Sequence, residues 1–221
     1  MVNMNYDKVI IFLGPSLKRE KALDILNHEI VEYRPPARKG DLLKIKPEGK
    51  ILVGLIDGVF LQDYPPTPIE VYTAMQRGIK LIGAASIGAL RAVELERFGM
   101  IGIGKIFRLY KSRIIEDDDE VAVTFSEHDY TLHSEAMIDI RYTLYHAYKA
   151  SIISKESMRK IARIAKSIYF PYRSYDIILE KAKGIVSKEE IEALQEYIRH
   201  SRRSLKEEDS VKLLKYVKHI I

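Results

Sequence analysis

Leu81-Ile-Gly-Ala-Ala-Ser-Ile-Gly-Ala-Leu-Arg-Ala92 decides the fold. Its first five residues form a short apolar run of the buried-strand type, and a helical pattern from Ile87 to Phe98 follows with no spacer. The same grammar recurs upstream. Val9–Leu13 is a continuous apolar strand ending in Gly14-Pro15-Ser16, and Lys18 to Asn27 puts Ala22, Ile25 and Leu26 on one helical face. Ile30–Tyr33 reads as a second strand stopped by Pro35-Pro36, and Ile51–Ile56 as a third ending at Asp57-Gly58. Pro68 to Arg77 reads as a helix with Thr67 as N-cap and proline at the first position. Fully apolar strands separated by helices predict an α/β fold, a Rossmann-like parallel sheet flanked by helices. In such sheets functional groups collect in the loops at the strands' C-terminal ends. The informative loops are therefore Gly14–Leu17, Pro35–Asp41, Asp57–Phe60 and Ala84–Gly88.

From Ser134 onward the pattern is wholly helical. Ser134 reads as an N-cap followed by Met137, Ile138, Leu144, Tyr145 and Tyr148 on one stripe. Further helices are predicted at Lys155–Tyr169, Tyr175–Lys183, Lys188–His200 and Lys206–Ile220. The segment Ile101–His133 mixes glycines, acids and aromatics and reads as a long functional loop or a hairpin. The expected organisation is an α/β core over residues 1–133 with an all-helical C-terminal third, residues 134–221, packed on it.

Composition narrows the chemistry. The 221 residues suit one large domain or a domain with an appendage, and 47% hydrophobic residues suffice for a substantial core. No apolar run approaches the roughly 20 residues of a membrane helix, and the polar start Met1–Lys8 does not read as a signal peptide. A cytoplasmic protein is expected. Cysteine is absent, which excludes disulfides, thiolate metal sites and persulfide chemistry on this chain. The lack of cysteine and the 30% charged residues fit a thermophile. Of the +5 net charge, much lies late, at Arg199, Arg202, Arg203, Lys206, Lys212, Lys215 and Lys218. Such a tail is either a docking surface for an acidic partner or a solvated helix face, and Glu207, Glu208 and Asp209 argue against a nucleic-acid groove.

Ser86, among small residues on a strand-to-helix turn, has the setting of a nucleophile elbow, though Ala84 stands where G-x-S-x-G requires glycine. The Ile87 and Gly88 amides would then face an oxyanion or anion at the helix N-terminus. Equally, Ser86 could simply cap that helix. Asp57 is either a catalytic carboxylate or a turn residue bonded to nearby amides. Arg38 is a site cation or a solvated loop arginine, and Arg91 faces the site or pairs with Glu94. Glu116-Asp-Asp-Asp-Glu120 reads as a solvated acidic loop rather than a metal site, because adjacent acids point apart. The six histidines show no metal spacing, and His128 or His133 could serve as a general base. No Walker lysine follows Gly88, which argues against a nucleotide-phosphate module.

Taken together, several motifs resemble the TfuA-like core domain. They are Phe12-Leu-Gly-Pro-Ser16, Pro35-Pro-Ala-Arg38 with Gly40-Asp41, Ile56-Asp-Gly-Val-Phe60, Gly83 to Ala92 with Glu94-Leu95, Phe98 to Gly104, Asp117 to Ala122, and Ser134-Glu-Ala-Met137 leading to Arg141. The resemblance covers about residues 9 to 145. It implies a partner of a YcaO enzyme, which activates a backbone amide oxygen with ATP so that sulfur can replace it. It further implies thioglycine formation in the alpha subunit of methyl-coenzyme M reductase, an archaeal setting, and contact with the peptide or protein substrate only indirectly. The role it implies is sulfur supply, a hydrolase-type release of sulfide from a thiocarboxylated ubiquitin-like carrier; the other reading is a non-catalytic adaptor that docks YcaO and the sulfur donor. On this view Ser86, Asp57, Arg91 and His133 are the candidates for catalysis. Ser16, Arg38, Ile87 and Gly88 are the candidates for binding the anionic substrate end, with no metal, cofactor, membrane or nucleic acid expected.

Overall fold

A computed structural model describes residues 5–60 and 63–221. Part of the polar start read as no signal peptide, residues 1–4, lies outside the described residues. The chain forms two compact units: Met1–Asp118 with Lys206–Ile221, and Asp119–Leu205.

The first unit is built on five strands: β1 (Lys8–Phe12), β2 (Val31–Arg34), β3 (Ile51–Leu55), β4 (Lys80–Gly83) and β5 (Ile101–Gly102). All pair in parallel, in the order β2-β1-β3-β4-β5. The helices α1 (Arg19–Ile25), α2 (Pro68–Gln76), α3 (Ile87–Leu95) and α4 (Gly104–Lys111) alternate with them. This is an α/β fold with the sheet covered on both faces. Register places Ile11 beside Tyr33 and Gly54, and Gly54 beside Ile82, on one face. That face forms a core with Val9, Leu52, Ala22 of α1 and Leu213, Leu214 and Val217 of the last helix, α9 (Leu205–Ile220). A Cβ at Gly54 would lie 2.6 Å from Ile11 Cδ1 and 3.1 Å from Leu213 Cδ2, so glycine there lets α9 approach the sheet. The opposite side chains, Ile10, Phe12, Val53, Leu55 and Leu81, are also buried, and α2 and α3 contact β4. Burial on both faces explains why the strands read as unbroken apolar runs.

The second unit contains α5 (Met137–Lys149), α6 (Lys155–Ser167), α7 (Tyr175–Ala182) and α8 (Lys188–Ser201). Its core joins Met137, Ile140, Leu144, Ile161, Ala165, Ile178, Leu179 and Leu194. Ser154, Ser174 and Ser187 cap α6, α7 and α8 by accepting first-turn amides.

Three expectations change. The segment Ile101–His133 is not merely a loop: it supplies β5 and α4, with Ile106, Phe107 and Tyr110 buried, and only Phe125 and Leu132 form a bridge within its later part. A two-residue strand has too little pattern to be read from sequence. Ser134 does not cap α5; its Oγ accepts the Thr124 N–H at 2.9 Å. The compact units divide after Asp118 rather than at 133, and α9 belongs with the sheet. Its apolar stripe announces a helix but carries no mark of the layer it joins.

Candidate functional site

In a doubly wound sheet of order 2-1-3-4-5, the connections leave in opposite directions from β1 and β3, and ligands favour the crevice at the carboxyl ends of those strands. Asp57, two residues past the end of β3, sits at this point and is 1% exposed. Its Oδ2 accepts the Gly14 and Ser16 amides at 2.9 and 3.1 Å, and its Oδ1 accepts the Ser16 hydroxyl at 2.6 Å. Asp57 thus ties the β1–α1 loop to the end of β3. Asp57 is therefore not a local turn carboxylate: the amides it accepts lie 41 and 43 residues away in sequence. Ser16, a candidate anion binder, donates its hydroxyl to this carboxylate.

Neighbouring loops lock onto the same dipeptide. Ala37 N–H donates to Asp57 O, Val59 N–H donates to Ala37 O, and a Cβ on Gly58 would stand 2.8 Å from Ile87 Cγ2 and 3.0 Å from Ala37 O. On the first loop, a Cβ on Gly14 would stand 2.3 Å from Pro36 Cγ. The four loops expected to be informative therefore form one cluster. Glu70, buried on α2, steadies one of them by accepting the Gly40 and Leu42 amides. No sequence signal singled out Glu70, since an acid in a helix's first turn is ordinary.

Ser86 lies in this cluster and is 2% exposed. The preceding Ala85 has φ +65°, and Ser86 N–H donates to Ala84 O at 2.8 Å, a γ-turn of the rare strained kind. Ser86 itself, at φ −110° and ψ −124°, occupies the N-cap position of α3, yet its side chain makes no capping hydrogen bond. Nor does Ser86 Oγ bond elsewhere among the described residues. The hydroxyl therefore does not cap α3 in this structure. Of the two amides expected to face an anion, Gly88 N–H is taken by Ile56 O at 3.3 Å. Ile87 N–H makes no backbone hydrogen bond among the described residues. Gly88 is required for packing: its Cβ would fall 1.7 Å from Leu55 O, and one on Gly83 would fall 2.0 Å from Gly88 O. Helix α3 is thus pressed against the ends of β3 and β4, which forces the tight turn before Ser86.

Arg91 is largely engaged. Its Nε donates to Pro66 O at 2.7 Å and its Nη1 to Glu94 at 2.6 Å. Arg38 projects from its loop with its side chain 44% exposed and Nη1 3.6 Å from Asp63. Its backbone N–H donates to the Asp41 carboxylate at 2.8 Å. His133 and His128 are exposed and belong to the other compact unit, Asp119–Leu205. Within its unit the structure thus groups Ser16, Arg38, Asp57, Ser86, Ile87 and Gly88 in one loop cluster and leaves Arg91 on the adjoining helix.

The acidic run is only partly solvated, which corrects its reading as a solvated loop. Glu120 is buried and bidentate to Arg141 at 2.9 Å, and Asp119 pairs with Lys166 and with Arg173, whose side chain is fully buried. Burial of Asp119 opposes its ionisation, but hydrogen bonds from Lys166 and Arg173 outweigh it and hold the pKa below the usual carboxylate value. Among the described residues no cluster of His, Cys, Asp and Glu could hold a metal ion, and no helix is long and apolar enough to cross a membrane.

These features define a doubly wound α/β protein whose switch-point loops are pinned around a strained strand-to-helix serine. A family model described as TfuA-like protein matches residues 57–174, over half of the chain, and the chain belongs to that family. The family is associated with YcaO-linked thioamidation and with partnership to YcaO enzymes. The match begins at Asp57 and takes in the whole Ser86 turn. A search of curated proteins finds no match.

Proposed function

We propose that the chain supplies sulfur to a YcaO enzyme by hydrolysing the thiocarboxylated C-terminus of a ubiquitin-like carrier, with Ser86 as nucleophile. The observation that carries this reading is the Ser86 hydroxyl, on a residue only 2% exposed, left without a hydrogen bond among the described residues on a strained turn at the N-terminus of α3. Ser86 Oγ attacks the thiocarboxylate carbon, the C–S bond breaks, and the hydroxyl proton leaves with sulfur as HS⁻. Water then cleaves the serine ester, giving the carrier carboxylate and one proton. The Ile87 N–H and the dipole of α3 stabilise the oxyanion. Arg38, the more exposed cation, draws in the anionic carrier end, while Arg91 fixes Pro66 beside the cluster. Sulfide released this way serves thioamide formation by YcaO, with thioglycine in methyl-coenzyme M reductase as the end product. No cysteine is needed, and the chain has none.

A second reading is a non-catalytic adaptor that docks YcaO and its sulfur donor. One observation favours it: among the described residues no titratable side chain hydrogen-bonds to Ser86, and both oxygens of Asp57 are engaged by the Gly14–Ser16 loop. The test is to incubate the purified protein with thiocarboxylated carrier and assay free sulfide, with and without a chelator and ATP. Hydrolysis predicts full release in the presence of chelator and without ATP. No release above the uncatalysed rate supports the adaptor.

A further inference from the structure

Within the Asp119–Leu205 unit, a cleft of about 480 Å³ runs between α5 and α6. Its accessible apolar part comes from Tyr145, Met158 and Ala162, over the buried Leu144. Four cations also line it, and they fall into two pairs. Arg141 is bidentate to Glu120, and Lys166 bonds Asp119 and Glu120, so both are neutralised inside the unit. Arg159 and Arg163 are exposed and have no ion pair among the described residues. Glu156, the acid nearest them on α6 in sequence, pairs with Lys160 instead.

Spacing gives these groups direction. Met158 and Ala162 are four residues apart, as are Arg159 and Arg163, so α6 carries an apolar stripe beside a cationic stripe, each with a rise of about 6 Å between members. A partner helix with apolar residues on one stripe and carboxylates one turn apart on the next matches both. A nucleic-acid backbone matches less well, because it has no apolar stripe and would approach the Asp119 and Glu120 carboxylates. We propose that this cleft binds an acidic amphipathic helix of a protein partner, with apolar side chains on Tyr145, Met158 and Ala162 and two carboxylates on Arg159 and Arg163. The site is independent of the Ser86 chemistry and lies in a unit that holds no part of the switch-point cluster.

The probe is a fluorescein-labelled helical peptide with leucine and glutamate stripes at four-residue spacing, titrated with the full chain and followed by anisotropy. The wild type binds it, affinity falls as salt rises, and the glutamine version of the peptide binds at least about ten-fold more weakly. Arg159→Gln/Arg163→Gln weakens binding by at least about ten-fold with an unchanged melting temperature, since both side chains are exposed. Arg199→Gln, on α8 and paired with Glu196, leaves binding intact. The proposal is overturned by no binding to the wild type, by equal binding to the double variant, or by an oligothymidine that binds more tightly with the same arginine dependence.

Discussion

Two hydroxyl residues at helix N-caps make opposite predictions. Thr67 Oγ1 accepts the Glu70 amide at 3.2 Å and caps α2, so Thr67→Ala should cost about 1 kcal/mol in chemical denaturation. Ser86 occupies the same position on α3 without a capping bond, so Ser86→Ala should leave stability within about 0.5 kcal/mol of the wild type. A loss at Ser86 equal to that at Thr67 would mean that the hydroxyl caps in solution. Thr67 was legible because threonine followed by proline has one common use. Ser86 was not, because a serine before a helix is compatible with either role. What separates them is the backbone of Ala85, at φ +65°, a strain that alanine does not advertise in sequence.

Among the elements, the β4–α3 unit is the most tightly specified. Gly88→Ala places a methyl group 1.7 Å from the Leu55 carbonyl, which is backbone and cannot rotate away. It should destabilise the protein by more than about 3 kcal/mol, measured as a shift in the denaturation midpoint at constant slope. A near-neutral Gly88→Ala would show that α3 sits farther from β3. The glycines of this turn were visible in sequence as a tight-turn signal, but the contact that demands Gly88 involves a strand 33 residues earlier.

The acidic run teaches a similar lesson. Five consecutive acids look solvated, yet Asp119 and Glu120 enter an ion-pair network with Arg141, Lys166 and Arg173. Those partners follow up to 54 residues later, beyond the reach of local pattern. A carboxylate whose folded-state pKa is depressed adds stability that is present above its unfolded pKa and lost as pH falls towards the folded one. Asp119 in this unit is lowered, and so is Glu190, held chiefly by the Ser157 hydroxyl. The helical unit should therefore lose stability as pH falls below about 4, where unfolded carboxylates begin to protonate. Thermal melts followed by circular dichroism from pH 6 to 3 would show a falling midpoint. A midpoint flat over that range would mean that the network contributes nothing.

At the scale of the whole molecule, sequence patterning located the parallel sheet, eight of the nine described helices and the four loops that meet at Asp57-Gly58. It did not reveal that the chain leaves the sheet unit at Asp118 and returns with α9, because that depends on which apolar surfaces meet. Nor did it foresee that three residues of the basic C-terminal stretch are ion-paired, Arg199 with Glu196, Arg202 with Glu135 and Lys212 with Asp209. The chemistry proposed here rests on Ser86, the Ile87 amide and the dipole of α3, all within the sheet unit. The most direct measurement is the rate of sulfide release from a thiocarboxylated carrier by the wild type and by Ser86→Ala at matched folded concentration. The account predicts a loss on the order of 100-fold or more in the variant, with an unchanged melting temperature. A folded Ser86→Ala protein that releases sulfide at the wild-type rate would contradict it.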